Sequence, residues 1–232
     1  MNMIEFKNVT KRFGDTLVLD GLSFAVEKGE IFVIIGPSGT GKSVTLKHIV
    51  GLEEPDGGEI TVASKKVGYL FQSGALLAWK SVYENVALPL EETTDLSGDE
   101  IEKRVVDALK AVGLEDAMDK YPSEISGGMQ KRAGLARAIV CRAEVILYDE
   151  PTSGLDPISS INISRLIRDI ARNHGVTSIL VTHDLLSALR IADKIMLLDH
   201  GKCVLCGTPD DFAKSDIPEV QKFLEAVRGD GL

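Results

Sequence analysis

Several groups of residues in this chain have the types and spacing for phosphate chemistry. Gly36-Pro37-Ser38-Gly39-Thr40-Gly41-Lys42-Ser43 fits the G-x-x-x-x-G-K-S pattern. Gly36, Ser38, Gly39 and Gly41 let the backbone fold around an anion, its N–H groups turned inward where the partial positive charge of a helix start adds attraction. Lys42 would reach the β- and γ-phosphates of a nucleotide. Ser43 would set its hydroxyl on Mg²⁺, an ion that keeps several waters and takes few protein ligands. Asp149-Glu150 closes the apolar run Val145-Ile146-Leu147-Tyr148, and strand ends of parallel sheets are where ligands collect in α/β folds. There Asp149 would support Mg²⁺, directly or through water, and Glu150 would polarise an attacking water as general base. Ser126-Gly127-Gly128 opens a second Gly-rich helix start, with Ser126 as cap and donor to another phosphate. The other reading of that segment is a well-capped buried helix.

Two further polar residues sit at predicted strand ends. Gln72 follows Val67–Phe71 and reads as a loop residue, as a neutral oxygen ligand to Mg²⁺, or as a reporter of the γ-phosphate. His183 follows Ser178–Thr182, the same topological place as Asp149 and Glu150, and is predicted to contact the γ-phosphate. Phe13, beside a Gly turn, reads as an edge-of-sheet aromatic or as a platform for a purine ring.

The elements that must position these residues alternate between strand and helix. Strands are predicted at Ile4–Val9, Val18–Val26, Ile31–Ile35, Glu59–Ala63 and Val67–Phe71. Leu46, Ile49 and Val50 give a helix after the phosphate loop, stopped by Gly51. Ser81 with Glu84 and Ser97 with Glu100 form S-x-x-E capping boxes that start two helices. The first is expected to be short, ending before Pro89; the second runs through Ile101, Val105, Leu109 and Val112 to Gly113. Ala75, Leu76, Leu77 and Trp79 precede them, apolar surface that either packs on the main body or meets a partner. Asp156 caps a helix with Pro157 at its first position. Leu185–Ile191, strands Ile195–Asp199 and Lys202–Leu205, a helix start at Thr208 and a tail helix near Glu219–Val227 complete the chain.

Composition bounds the function. With 232 residues the chain can bury a sizeable core, and a net charge of −9 with pI near 5.0 argues against a nucleic-acid partner. It lacks the roughly 18 to 20 uninterrupted apolar residues of a membrane helix, and its start lacks a signal-peptide core, so a cytoplasmic chain is expected. Cys141, Cys203 and Cys206 make no disulfide framework. Cys203 and Cys206 form a C-x-x-C inside a predicted strand, where residues three apart face opposite sides, so they are read as apolar strand members. Cys141 is read as core.

Gly36 to Ser43, Gln72, Ser126-Gly127-Gly128, Asp149-Glu150, Ser153 to Asp156 and His183, in this order, resemble the ATP-binding-cassette (ABC) ATPases over nearly the whole chain. The resemblance implies an α/β fold: a P-loop NTPase core of about 1–72 and 145–208, with an antiparallel β subdomain and a helical subdomain of about 73–144 carrying the signature. A C-terminal helical extension would cover 209–232, the whole making a single cassette domain of 1–232. It also implies ATP with Mg²⁺, the metal held by Ser43, Gln72 and Asp149. Phe13 falls at the adenine-stacking aromatic, Gln72 at the Q-loop, Ser126, Gly127 and Gly128 in the signature, and His183 at the switch histidine. Two copies would sandwich two ATP molecules, and Ser73 to Leu90 would receive a membrane permease. Leu70-Phe71-Gln72-Ser73-Gly74-Ala75-Leu76-Leu77, Glu84-Asn85-Val86-Ala87-Leu88-Pro89-Leu90, Lys42-Ser43-Val44 and Met129 after Gly128 are similar to the ATPase subunit of Mla-type phospholipid transporters. That narrower resemblance implies an MCE-domain lipid-binding protein in the assembly and a place on the cytoplasmic face of an inner membrane. The tail after Thr208 is similar to that group's extension, which can reach the other protomer. Only Gly58 to Val67 separates the P-loop helix region from the Q-loop strand, shorter than usual, so the antiparallel subdomain is expected to be reduced. Cassettes for other cargo, soluble cassette proteins and P-loop kinases are the rival classes.

Overall fold

The computed structural model describes residues 1–229, with side chains to residue 225, so the end of the predicted C-terminal extension (230–232) lies outside the described residues. The chain divides into two compact units, residues 1–65 with 168–232, and residues 66–167. The strand that precedes Gln72 and the strand that ends at Asp149 pair with each other and fall in the same unit as the helices between them.

In the first unit, β1 (Asn2–Phe13), β2 (Thr16–Glu27) and β4 (Gly57–Val62) form an antiparallel sheet in the order β2-β1-β4. The short Gly58–Val67 span therefore still supplies a full edge strand to this subdomain. A second sheet holds β3 (Ile31–Ile35), β7 (Thr177–Thr182), β8 (Lys194–Asp199) and β9 (Lys202–Gly207), in the order β7-β3-β8-β9. β3 is parallel to both its neighbours, and all five of its side chains are buried, which explains its uninterrupted apolar sequence. Phe24 of β2 stacks on Phe6 of β1 at 4.5 Å and on Phe32 of β3 at 5.2 Å, so the two sheets share one aromatic core. Helices α1 (Lys42–Ile49), α6 (Leu185–Ile191), α7 (Pro209–Ala213) and α8 (Pro218–Gly229) complete the unit. α8 packs on α6 of its own chain, with Val220 and Leu224 buried.

His48 lies buried on α1, its Nδ1 2.7 Å from the Val44 carbonyl and its Nε2 without a hydrogen-bond partner. Burial lowers its pKa from the usual 6.5, with the Val44 carbonyl opposing. The unfolded chain then binds the proton more readily than the folded one. His48 therefore favours the fold fully above pH 6.5, and that contribution is lost as pH falls from there through the lowered value. Thermal unfolding followed from pH 7.5 to 5.5 is expected to show a falling midpoint, and His48→Gln to flatten that fall.

In the second unit, β5 (Val67–Leu70) and β6 (Val145–Asp149) pair in parallel, and α2 (Val82–Thr93), α3 (Gly98–Ala111) and α4 (Gly127–Ile139) carry the helical part. Both predicted capping boxes form, at Ser81/Glu84 and Ser97/Glu100. α2 departs from expectation: it does not stop before Pro89 but continues through it to Thr93. A proline in a helix interior loses one backbone bond and costs about 3 kcal/mol. Val82, Val86 and Leu90, four apart and fully buried, keep one apolar stripe running past it, and packing of such a face outweighs local propensity. α5 (Pro157–His174) is capped by Asp156, whose carboxylate accepts from the Ile158 and Ser159 N–H groups at 3.0 Å. Among the described residues no helix is long and apolar enough to cross a membrane.

Candidate nucleotide site

The glycine loop is shaped by close approaches that only glycine allows. A Cβ on Gly36 would lie 2.1 Å from the Leu198 carbonyl oxygen of β8, so the chain leaves buried β3 directly beneath its neighbouring strand. Gly41 caps α1 at φ 99, with Leu19 Cδ2 2.8 Å from where a Cβ would stand. Lys42 is buried, and its Nζ donates to the carbonyls of Gly36 and Pro37 at 2.9 and 2.8 Å. The ammonium is thus folded back across the loop, held where an anion seated on the loop would meet it. Pro37, Ser38 and Gly39 face solvent; Ser43 and Val44 are half-buried in the first turn of α1.

His183 falls into register with this loop. Ile35 pairs with Thr182 in the parallel β3–β7 ladder, so His183 is one residue beyond that pair, as Gly36 is on β3. Its ring is exposed, and the next residue, Asp184, caps α6 by accepting from Ser187 N–H at 3.1 Å. Phe13, at the end of β1, is 44 % exposed, with Lys11 Nζ 5.1 Å from the ring centroid. The ring is exposed at the strand end, with Lys11 over one of its faces.

The second unit assembles its own set. Leu70 pairs with Tyr148, so Gln72 and Glu150 leave adjacent strands at the same level. Gln72 Nε2 donates to Ser153 Oγ at 3.4 Å. Tyr69 Oη donates to Asp149 Oδ2 at 3.2 Å, and burial, then the Asp149 charge, pushes the phenol far above its usual 10. The phenol therefore stays a donor and orients the Asp149 carboxyl. Glu150 takes φ 48, a left-handed conformation that costs a non-glycine residue on the order of 1–3 kcal/mol and is met most often at functional sites. Ser126 caps α4 by accepting from Met129 N–H at 3.3 Å, while Ser126 and Gly127 are exposed and Gly128 half-buried.

Sequence reasoning missed the residues that hold these segments in place. Lys131, 6 % exposed, donates from Nζ to the carbonyls of Glu150 and Ser153 at 3.2 and 2.5 Å. It ties the signature helix to the turn that carries Glu150; burial lowers its pKa and the Glu150 charge partly restores it. Arg137 donates to the Gly74 and Ala75 carbonyls at 2.8 and 2.9 Å and so fixes the segment after Gln72. A lysine and an arginine at i and i+6 of a small-residue helix read as a solvated face. Only tertiary contacts reveal that both point at loop carbonyls.

A buried strand feeding a glycine loop, with the loop's lysine folded back upon it, defines a nucleoside-triphosphate-binding protein of the P-loop class. Within that class the chain belongs to the ABC transporter ATP-binding family: residues 19–153 match the family model described as ABC transporter. Over 97 % of its length it is 41 % identical to the intermembrane phospholipid transport system ATP-binding protein MlaF of Haemophilus influenzae, spanning 90 % of that protein. It is 40 % identical, again over 97 % of this chain and 69 % of the relative, to the probable ribonucleotide transport ATP-binding protein mkl of Mycobacterium leprae. The solved dimer of the ATP-binding cassette MJ0796, in a post-hydrolysis state bound to ADP and phosphate, superposes with a TM-score of 0.80 at 32 % identity, covering 89 % of this chain and 99 % of that one. The chain is accordingly an ATPase of the transporter-coupled cassette type, and cassettes of this kind form dimers.

Proposed function

We propose that this chain is the ATP-hydrolysing subunit of an Mla-type phospholipid transporter, docked on the cytoplasmic face of an inner membrane through a permease. Its 1–232 span then acts as a single cassette domain with a C-terminal helical extension. The observation that carries the docking is an apolar face in the second unit. Trp79 is 74 % exposed, and Phe71, 42 % exposed, lines a groove of about 640 Å³ with Ala75, Leu88, Pro89, Arg137 and Cys141. Large apolar side chains presented to water beside a concave surface fit a helix inserted from a partner. Cys141, expected in the core, is half-buried on this rim. The lipid reading rests on the identity to MlaF together with the 70–77 and 84–90 segments. An MCE-domain protein would be the third, indirect partner, and nucleic acid none.

In hydrolysis Gly36, Ser38, Gly39, Gly41 and Val44 would offer backbone to the phosphates, and Lys42 its charge. Oxygen donors from Ser43, Gln72 and Asp149 would suit a small hard dication, and Tyr69 holds the Asp149 carboxyl in place. Mg²⁺ bound there would neutralise charge developing on the β- and γ-phosphate oxygens. Glu150 would take the water's proton, His183 would contact the γ-phosphate, and Phe13 would stack on adenine. Ser126, Gly127 and Gly128 would meet the nucleotide of a second copy, whose loop meets theirs in return.

Asn85 frames the docking face. Fully buried, it accepts from Leu77 N–H at 2.7 Å and donates to the Leu77, Lys80 and Ser81 carbonyls at 2.9–3.1 Å. Asn85→Ala would strand these groups at roughly 1–3 kcal/mol for each one left buried. The expected outcome is a several-fold loss of co-purified permease with ATP affinity retained, measured by pull-down and nucleotide titration on the same preparation. Affinity purification of the tagged chain from detergent-solubilised membranes, with mass spectrometry, tests the assignment itself. A permease with an MCE-domain protein supports it; a permease with another binding protein keeps the motor and discards the lipid; no membrane partner discards both.

A further inference from the structure

β9 contradicts the expectation that Cys203 and Cys206 face opposite sides. Its register with β8 pairs Met196 with Cys206 and Leu197 with Leu205, then skips Val204 and pairs Leu198 with Cys203. The extra residue is a β-bulge, which resets the alternation of the strand. Residues directly opposite in an antiparallel pair share a face, and Met196 and Leu198, two apart, share one as well. Cys203, Cys206 and Met196 therefore stand on a single face of the sheet. β9 is the edge strand, Cys206 is exposed and Cys203 half-buried, so the thiols can be reached from outside, while Met196 is fully buried on β8.

The spacing decides between a disulfide and a chelate. Sulfurs opposite positions two apart spring from Cβ atoms about 6.5 Å from each other, two strand rises. A disulfide needs about 3.5–4.5 Å between Cβ atoms, with their vectors converging. A metal between two thiolates, at about 2.3 Å from each, accepts sulfurs up to about 4.6 Å apart, which small rotations supply. Burial pushes the Cys206 thiol up to about 11, with Cys203 the next contributor, then Lys194, which opposes, and Glu30, which adds; burial raises Cys203 too. Neither thiol is a ready nucleophile at neutral pH, which also disfavours oxidation, while ligation would release both protons to solvent. Among the described residues no group of three or more His, Cys, Asp or Glu could hold a metal, so a hard or borderline dication lacks a cage here.

We propose that Cys203 and Cys206, aligned by the Val204 bulge and backed by the Met196 thioether, form a binding site for a soft monovalent cation, Cu(I). Thiolate and thioether ligands in low coordination number select that ion. The site uses none of the residues of the glycine loop, and its presence does not depend on the cargo assigned above.

The test is anaerobic titration of the full chain with Cu(I) held by a chromophoric chelator such as bicinchoninate. One equivalent should pass to the protein. Cys203→Ser and Cys206→Ser should each weaken uptake by more than the roughly 10- to 100-fold that loss of an outer-shell partner costs. Met196→Leu, which keeps the core volume, should weaken it less, and Cys141→Ser not at all. ATP binding by every variant serves as the check of folding. Failure of the native chain to take Cu(I), or uptake undiminished in the Cys203→Ser/Cys206→Ser double variant, would overturn the proposal. So would a Cys203–Cys206 disulfide found by mass after treatment with glutathione disulfide, since it would show that the thiols converge.

Discussion

Glu150→Gln is expected to bind ATP with near-native affinity and to hydrolyse it about 10²- to 10⁴-fold more slowly, the range a positioned general base contributes. The amide keeps the shape and hydrogen-bonding reach of the carboxylate but cannot take the proton of the attacking water. The Glu150 backbone is held from outside, by Lys131 on its carbonyl, so the exchange should leave the φ 48 turn in place. With hydrolysis blocked, ATP should accumulate between two copies, and size-exclusion chromatography with light scattering should show an ATP-dependent dimer. Turnover at the native rate in single-turnover phosphate release would remove Glu150 from the chemistry.

Lys42→Ala should act one step earlier, on binding. An ammonium bonded to a phosphate is worth about 1.5–3 kcal/mol net, or roughly 10- to 150-fold in affinity. The lysine also bonds the Gly36 and Pro37 carbonyls, so its loss frees the loop it preorganises, and the larger end of the range is expected. Isothermal titration with a non-hydrolysable ATP analogue measures this directly. An unchanged dissociation constant would deny Lys42 its role in phosphate binding. The two variants thus separate: one binds without turning over, the other fails to bind.

The parts of this molecule legible in its sequence are those set by local chemistry. Capping boxes at Ser81 and Ser97, Pro157 after Asp156, and the all-apolar β3 each carry their cause within a few residues, and each forms. Where a distant partner decides, local reading fails. Pro89 stops a helix in isolation, yet the buried stripe through Leu90 carries α2 past it. The Val204 bulge exists only relative to β8, so alternation alone sends Cys203 and Cys206 to opposite faces. Lys131 and Arg137 resemble surface charge until the carbonyls they reach are known. Of the candidate site, the glycine loop and the Asp149-Glu150 pair were legible from residue type and spacing. The residues that hold them still were not, because a lysine's reach across a fold leaves no mark in the residues beside it.

The proposed function requires that ATP hydrolysis by this chain drive lipid movement through a membrane partner. The most direct measurement is transfer of a fluorescent phospholipid by the co-purified complex reconstituted in vesicles, followed together with phosphate release. Lipid movement should require ATP, stop with Glu150→Gln and scale with hydrolysis. Steady hydrolysis by the complex with no ATP-dependent movement of phospholipid would contradict the proposed function.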